Sequence, residues 1–552
     1  MVFAQVYKIV MFVRETHSKR KDGSTVTYLH LVESQWDKRK KGPRHKVLHS
    51  FGRKDQLDVE QIRRLVHSLR QYLEPSDAVD TRSEFKRFLG AKDLGLPYML
   101  DQLWHQLRID RFFRHALTSR QFEAPIERAL FAMVAQRVCA PGSKLSCEHW
   151  VGERAFVKDL PQIPVHQLYR AMDFLYEHGQ QLETDLHFQI NELLDLDLSV
   201  VFYDTTALYF SIEQPDKDGL RRRGHCKKDN PNHLPQVVVG LAINKRGIPI
   251  RHWVWPGNMS DVATVTQVIR DLKGLRPRRF FFIGDRGMVS QTNVDYLESR
   301  QLKFILGVKL RKNPNAEVML SIRGRYRKVE EHLFLKEKRL LDGDREMRYI
   351  LIRNAKSAQR DRNRREDILA FLRKELERPR APEEGTVWSQ RMRTHRVFGR
   401  FLCAGSGGRL AIDIDAVKAE ERLDGKYILM TNDLETDAHV IVAGYRELYT
   451  IEHTFESMKG ALDTRPMFHR LEDRIRAHIQ LCVLAYTLMK VAMLRSGETW
   501  TQIERTLSPL KVGELAFADG IVFHRSELNE AMRTLYNKVE VPVPPGVLSL
   551  ST

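Results

Sequence analysis

The sequence is poor in cysteine. Its 552 residues hold five, at Cys139, Cys147, Cys226, Cys403 and Cys482, an odd number never spaced as C-x-x-C. That pattern excludes a disulfide framework and a structural zinc site of the usual spacing, and it fits a reducing cytoplasm. Long apolar runs are also lacking. Met1 to Val13 is broken by Gln5 and Lys8, so it has no signal-peptide core. The most apolar helical stretch, Leu481 to Leu494, contains Lys490 and is shorter than the ~20 residues that span a bilayer. It reads as a buried core helix, and the chain as a soluble cytoplasmic protein without a membrane partner. No internal repeat and no low-complexity tract is visible, which leaves ordinary globular domains.

Acidic residues are outnumbered. Lys and Arg total 90 against 71 Asp and Glu, a formal charge of +19 with a pI near 9.6. Such an excess favours a polyanionic partner, since each neutralised phosphate releases condensed counterions. The hydrophobic share, 42%, is too high for a disordered chain. The length is too great for one core, so roughly two to four domains are expected.

Along the chain the hydrophobic period changes several times. Residues 1–90 mix alternating segments (Thr25 to Val32, His45 to Phe51) with basic turns such as Lys38-Arg39-Lys40-Lys41. Residues 91–197 show helical spacing, with one helix starting near Ala124-Pro125 and another over Gln167 to Leu182. A β-branched and aromatic run from Leu198 then ends at Asp204. Strands follow at Gln236 to Ile243 and Ile248 to Val254, joined by the turn Asn244 to Gly247. Asp261 to Leu272 is helical, Arg279 to Gly284 is a buried strand ending at Asp285, and Lys303 to Val308 is a fifth strand. This layout predicts a mixed α/β sheet covered by helices.

Residues 311–423 interrupt that pattern with strand-like pieces (Tyr349 to Ile352, Val397 to Cys403) and a charged helix near Asp361 to Arg378. Lys426 to Met430 is another strand, and Thr436 to Leu462 reads as one long amphipathic helix. The residues after Thr501 end in Val541-Pro-Val-Pro-Pro545, which reads as an extended, weakly ordered terminus.

Asp204 and Asp285 both stand at the end of a hydrophobic strand, 285 − 204 = 81 residues apart. Strand ends in α/β sheets commonly line the functional crevice. A third acid, Glu452, shares a helical face with Phe455 and Lys459 at i, i+3 and i+7. A carboxylate on the sheet-facing side of a helix is costly unless it is paired or binds a metal. Glu456 lies about 40° away round the helix, and periodicity alone leaves the choice between the two open.

The segments Phe202-Tyr-Asp-Thr-Thr206, Phe282-Ile-Gly-Asp-Arg-Gly287 and Tyr445-(x6)-Glu452-(x2)-Phe455-(x3)-Lys459 resemble the three catalytic motifs of bacterial insertion-sequence transposases of the DDE class. Supporting matches are Leu234 to Gly240, Pro256-Gly-Asn258-(x2)-Asp261, and Arg465-Pro466-(x2)-His469 leading into Arg474 and His478. The resemblance covers about residues 198–492 and, more loosely, the basic N-terminal strands. It extends to the subgroup with a β-rich insertion before the glutamate, which the 452 − 285 = 167 residue separation accommodates. That subgroup's helix signature is Tyr, Arg, Glu, Lys. Here the arginine position is Leu448, which puts one contact to the DNA backbone in doubt, with Arg446 nearby on another face.

The resemblance implies an RNase H-like core in two parts (198–310 and 424–500), a β-rich insertion at 311–423, a helical DNA-binding region at 91–197 and a tail at 501–552. It implies that Asp204, Asp285 and Glu452 hold two Mg²⁺ ions, with Mn²⁺ a workable substitute. The expected reaction is cleavage of double-stranded DNA at the element's terminal repeats, then joining of the freed 3′-hydroxyl to target DNA by a homodimer. Tyr445, Lys459 and, in the basic loop 221–228, Arg222 and Lys227 are the expected DNA contacts. Thr205 and Thr206 are assigned to hydrogen bonds around the metals, and His453 to structure. The alternatives are an RNase H-like nuclease that does not join, and a catalytically impaired DNA-binding protein.

Overall fold

The computed structural model describes all residues except 1–9, 21–24, 38–41, 71–84, 119–124, 161, 195–199, 226–232, 276–279, 312, 343–344, 380–381, 406–408, 466, 518–519 and 552. The Lys38 to Lys41 turn and Lys227 therefore lie outside the described residues. The chain forms two compact units. One comprises Met1–Leu89, Glu514–His524 and Gly546–Thr552; the other comprises Gly90–Gly513 and Arg525–Pro545.

In the first unit, β1 (Val10–Lys19), β2 (Thr25–Asp37) and β3 (Gly42–Arg53) make an antiparallel meander. The alternation read at Thr25 to Val32 and His45 to Phe51 falls within β2 and β3. Val26 and Val32, both buried, mark one face of β2 at even spacing. The Val59–Arg70 helix and β4 (Phe85–Asp93) follow.

The second unit is built on a mixed sheet. Its centre is β5 (Val200–Tyr209), paired antiparallel with β6 (Gln236–Asn244), which pairs antiparallel with β7 (Pro249–Pro256). On the other side of β5 lie β8 (Phe281–Gly284) and β9 (Lys303–Val308), both parallel to it. The order β9-β8-β5-β6-β7, with three hairpin-linked strands followed by two parallel ones, is the RNase H-like arrangement that the resemblance implied. Every residue of β6 is buried, as expected for a strand covered on both faces, and its near-continuous apolar run Val237 to Ile243 reflects that.

The sheet continues beyond β9 into the inserted residues. β10 (Arg327–Glu330), β11 (Leu333–Asp342) and β12 (Arg345–Asn354) lead to β15 (Lys426–Thr431), which pairs with both β12 and β9. Between β12 and β15 sit the Ala355–Glu377 and Pro382–Thr394 helices, a short pair β13 (Leu402–Ala404) and β14 (Leu410–Ile412), and the Ile414–Glu421 helix. They enclose a small core of their own around Leu369, Leu372, Met392 and Phe401. Of the strand expected over Val397 to Cys403, only the part from Leu402 onward is extended; Gly399–Phe401 is a turn of 3-10 helix.

One face of the sheet packs the Asp261–Lys273 and Gln291–Ser299 helices around Val201, Tyr203, Val265, Ile269, Phe282 and Leu297. The opposite face carries the Val165–Leu194, Ala438–Arg446, Tyr449–Lys459 and Glu472–Ser496 helices. Glu472–Ser496 is long and apolar enough to cross a membrane, but most of its apolar window is buried inside the protein, as a core helix would be. It packs on the Ile126–Cys139 and Val165–Leu194 helices, so the residues read as a separate helical region share a core with the sheet's own helix.

The C-terminal residues differ from the sequence reading. They hold two helices, Trp500–Leu507 and Glu530–Val539, and strands β16 (Lys511–Phe517), β17 (Gly520–Arg525) and β18 (Val547–Ser551). These strands join β4 in the sheet order β18-β17-β16-β4. A strand whose partner lies some 400 residues away has no local signal, whereas the proline-rich Val541 to Pro545 segment carries the local signal of an extended end.

Candidate active site

The pairing of β5 with β8 places Tyr203 opposite Gly284 in parallel register. The next residue in each chain is Asp204 and Asp285. Parallel strands run about 4.8 Å apart, so the two aspartates emerge side by side. Asp285 keeps extended backbone (φ −76°, ψ 166°), which continues the alternation by one residue past the strand end. Tyr203 and Phe282 belong to the core on one face, so Asp204 and Asp285 point to the other. Both are half-buried.

Asp204 was expected where its strand runs out. In fact β5 continues to Tyr209, because Thr205 to Tyr209 still pair with β6; what ends there is its parallel neighbour β8. The aspartate sits where β8 drops out beside a continuing β5. Its Oδ1 accepts a hydrogen bond from the Thr205 backbone N–H at 2.7 Å.

The face that carries the aspartates is the face of the glutamate helix. Gly444 lies over Ile283 and Ile305 of β8 and β9, and the Tyr449–Lys459 helix packs against β5. The expected single helix over Thr436 to Leu462 is two, Ala438–Arg446 and Tyr449–Lys459, separated at Glu447-Leu448. Tyr445 and Glu452 therefore belong to different helices. The Tyr445 hydroxyl donates to Asp285 Oδ1 at 3.2 Å, and its ring stacks on Tyr427 of β15. Burial, and then the neighbouring Asp285 charge, push the hydroxyl well above its ordinary pKa, so it stays protonated and keeps donating. Gly307 of β9 makes the room: a Cβ there would stand 2.5 Å from the Tyr445 oxygen.

Glu452 departs from the reading that put it on the sheet-facing side. The buried positions of its helix are Ile451, Thr454, Phe455 and Met458, while Glu452, His453 and Glu456 are exposed. Thr454 fixes that rotation, bonding the Thr450 carbonyl at 2.9 Å and meeting the Tyr486 hydroxyl at 3.0 Å. The competing acid Glu456 meets His453 at 3.0 Å, with both side chains exposed. Leu448 is buried at the helix start, and Arg446 makes an ion pair with Glu330 at 2.7 Å. Lys459 lies half-buried in the last turn. The loop beyond it is pinned by Arg137, whose guanidinium reaches the carbonyls of Leu462 and Asp463, both at 3.3 Å.

A divalent cation can be tested against these donors. Asp204 and Asp285 offer hard carboxylate oxygens on adjacent strands, a donor type that suits Mg²⁺ or Mn²⁺. Among the described residues, no three His, Cys, Asp or Glu side chains are grouped closely enough to form a ready metal cage. The two aspartates are thus brought together, and Glu452 stands on a helix packed against the same strand with its side chain in solvent.

The basic loop after β5 is tied to itself. Arg221 makes a bidentate pair with Asp216 (2.6 Å at the closest), Arg222 reaches Asp218 at 3.2 Å, and Arg223 donates to the Glu213 carbonyl at 2.8 Å. Arg222 also bridges Gln236 through its backbone. The Thr205 side chain does not face the aspartates. Its hydroxyl donates to Asp261 Oδ1 at 2.5 Å, across the opposite face of the sheet.

Comparison with known proteins gives the family. Residues 203–488, just over half of the 552-residue chain, match the family described as a transposase DDE domain. The chain belongs to the DDE transposase family. Residues 13–79 match the N-terminal domain of IS1634 family transposases, which covers the basic strands β1 to β3 of this transposase. No curated protein sequence matches it. Among solved structures, a Mos1 transposase paired-end complex with left transposon end aligns at 13% identity over 46% of this chain and 68% of that one. Its TM-score is 0.15, too low to add to the description of the fold.

Proposed function

We propose that this transposase cuts double-stranded DNA at the ends of its element and joins the freed 3′-hydroxyl to target DNA, using Asp204, Asp285 and Glu452 as its metal-binding carboxylates. The observation that carries the reading is the register Tyr203–Gly284, which sets Asp204 and Asp285 next to each other on the face covered by the glutamate helix. Two bound Mg²⁺ ions would supply an activated oxygen nucleophile and stabilise the leaving oxygen of an in-line displacement. Asp204 and Asp285 hold one side of that site. Glu452, exposed on the helix that packs against the same strand, would be the third carboxylate of that donor set.

Tyr445 holds Asp285 through its hydroxyl and would also be within the site to meet a DNA phosphate. Lys459, near two helical turns past Glu452, meets the backbone as a point charge. Arg222 and Lys227 extend the contact along the basic loop. The net charge of +19 suits this partner. A dimer on two element ends, acting in the cytoplasm on the nucleoid, follows from the need to bring both ends to one target.

The test supplies purified protein with Mg²⁺ and a duplex whose element end is already cut to a 3′-hydroxyl. Joined product supports the proposal. Cleavage of intact ends without joining of the pre-cut end would make the protein an RNase H-like nuclease. A second reading, a catalytically impaired DNA-binding protein, is favoured by Leu448 at the usual arginine position and by the exposure of Glu452. Binding of end DNA with neither nicking nor joining in Mg²⁺ or Mn²⁺ would select it.

A further inference from the structure

Both neighbours of Asp204 in β5 are tied to one helical turn on the far side of the sheet. The Tyr203 hydroxyl donates to Thr264 Oγ1 at 2.7 Å, and Thr264 donates in turn to the Asp261 carbonyl at 2.7 Å. The Thr205 hydroxyl donates to Asp261 Oδ1 at 2.5 Å. The second aspartate is tied to the same turn. Gly287, two residues past Asp285, lies against Asp261: a Cβ on it would be 3.2 Å from Asp261 Oδ2. Asn293 Nδ2 donates both to the Val262 carbonyl at 2.9 Å and to the Met288 carbonyl at 2.8 Å, joining the Asp285–Met288 turn to the start of the Asp261–Lys273 helix.

The geometry points to Asp261 as a positioning residue that sets the spacing of Asp204 and Asp285 without touching the metal or the DNA. This rests on the reading of the two aspartates as metal ligands. One carboxylate spans the two strands: one oxygen holds the hydroxyl beside Asp204, and the other faces the turn that leaves Asp285. The ordinary role of an acid in a first helical turn, satisfying the helix dipole, needs neither contact. A divalent ion demands oxygen donors at fixed separations, and Mg²⁺ is the stricter. Loss of a group bonded directly to a ligand commonly weakens metal binding 10–100-fold, and Asp261, which touches only the chain neighbours of the two aspartates, falls at the lower end of that range.

Asp261→Asn keeps the shape and removes the charge that draws the Thr205 hydroxyl. Thr205→Val removes the hydroxyl itself, and Thr205→Ser keeps it. Mn²⁺ binding is measured by calorimetry on the full-length protein without DNA, and the metal concentration for half-maximal end cleavage is measured separately. The expected result is roughly tenfold weaker Mn²⁺ binding for Asp261→Asn and for Thr205→Val, near-normal binding for Thr205→Ser, and no further loss in the double variant. The half-maximal metal concentration rises in step, with the rate at saturating metal within about threefold of the parent.

Unchanged Mn²⁺ affinity in Asp261→Asn overturns the inference, as does a lower melting temperature with affinity intact, which marks a helix cap only. If Asp261→Asn does not fold, Thr205→Val against Thr205→Ser decides alone. Asp204→Asn separates the two levels. If it binds Mn²⁺ and joins DNA like the parent, the proposed function fails; if it is inert while Asp261→Asn is normal, only the positioning role fails.

Discussion

Tyr445 and Asp285, 160 residues apart in the sequence, meet through one hydrogen bond of 3.2 Å. The contact joins the helix before the glutamate to the strand end that carries the second aspartate. It gives the tyrosine of the Tyr445-(x6)-Glu452 spacing a role inside the protein in addition to any it has on DNA. Tyr445→Phe keeps the ring on Tyr427 and removes only the donor. Stability should fall by about 1.5–3 kcal/mol, the worth of a bond to a charged acceptor, and end cleavage should slow. Urea unfolding and single-turnover cleavage check both, and a variant unchanged in each would leave the bond without consequence.

Gly307 is the place where that contact is built. A methyl group there would sit 2.5 Å from the tyrosine oxygen, between β9 and the Asp285–Met288 turn. Gly307→Ala should therefore displace Tyr445, with a loss of about 1–3 kcal/mol typical of overpacking. The loss should shrink in the Tyr445→Phe background, where the crowded oxygen is absent. Equal losses in both backgrounds would place the strain elsewhere.

Acid should weaken this fold in a defined window. His478 is buried, and burial first, then Arg137 and Lys144, hold its pKa well below the ordinary 6.5. His469 is pushed down to about 4 by burial and by Lys144, Arg137 and Arg474. Both stay neutral in the folded chain at pH 5 but gain a proton on unfolding, so the unfolded state binds more protons. Stability is full above about pH 6.5 and declines as the pH falls towards about 4. Melting temperatures from pH 7 to 5 should drop, and less steeply in His478→Gln. A flat profile would contradict the burial of these rings.

Much of the core was legible because its chemistry is local. β6 and β7, the turn Asn244 to Gly247, the Asp261–Lys273 helix and β9 fall within a residue or two of the expected bounds, since each carries an uninterrupted hydrophobic period. What was missed depends on distant partners. β5 outruns Asp204 because β6 pairs with it that far. The rotation that exposes Glu452 follows the stripe Ile451, Thr454, Phe455 and Met458, in which a threonine, bonded to Tyr486, takes a place that an apolar pattern leaves out. Asp261 carried a signal, the Pro256-Gly-Asn258-(x2)-Asp261 match, but nothing in the spacing tied it to Thr205.

Salt dependence tests the basic loop. Arg222 keeps partial exposure while pairing with the fully exposed Asp218 at 3.2 Å, an ion pair that a phosphate can replace. Replacing Arg222 and Lys227 by Ala should flatten the slope of log binding constant against log salt by about one for each phosphate no longer neutralised. An unchanged slope would remove the loop from the DNA interface.

The adjacency of Asp204 and Asp285 is the claim on which the chemistry depends. The most direct measurement is strand transfer of a pre-cut element end, in Mg²⁺, by Asp204→Asn, Asp285→Asn and Glu452→Gln, with end binding followed in parallel. Each variant should bind the end as tightly as the parent and yield no joined product. Near-normal joining by either aspartate variant would contradict a shared metal site at the β5–β8 step, and near-normal joining by Glu452→Gln would remove the exposed glutamate from it.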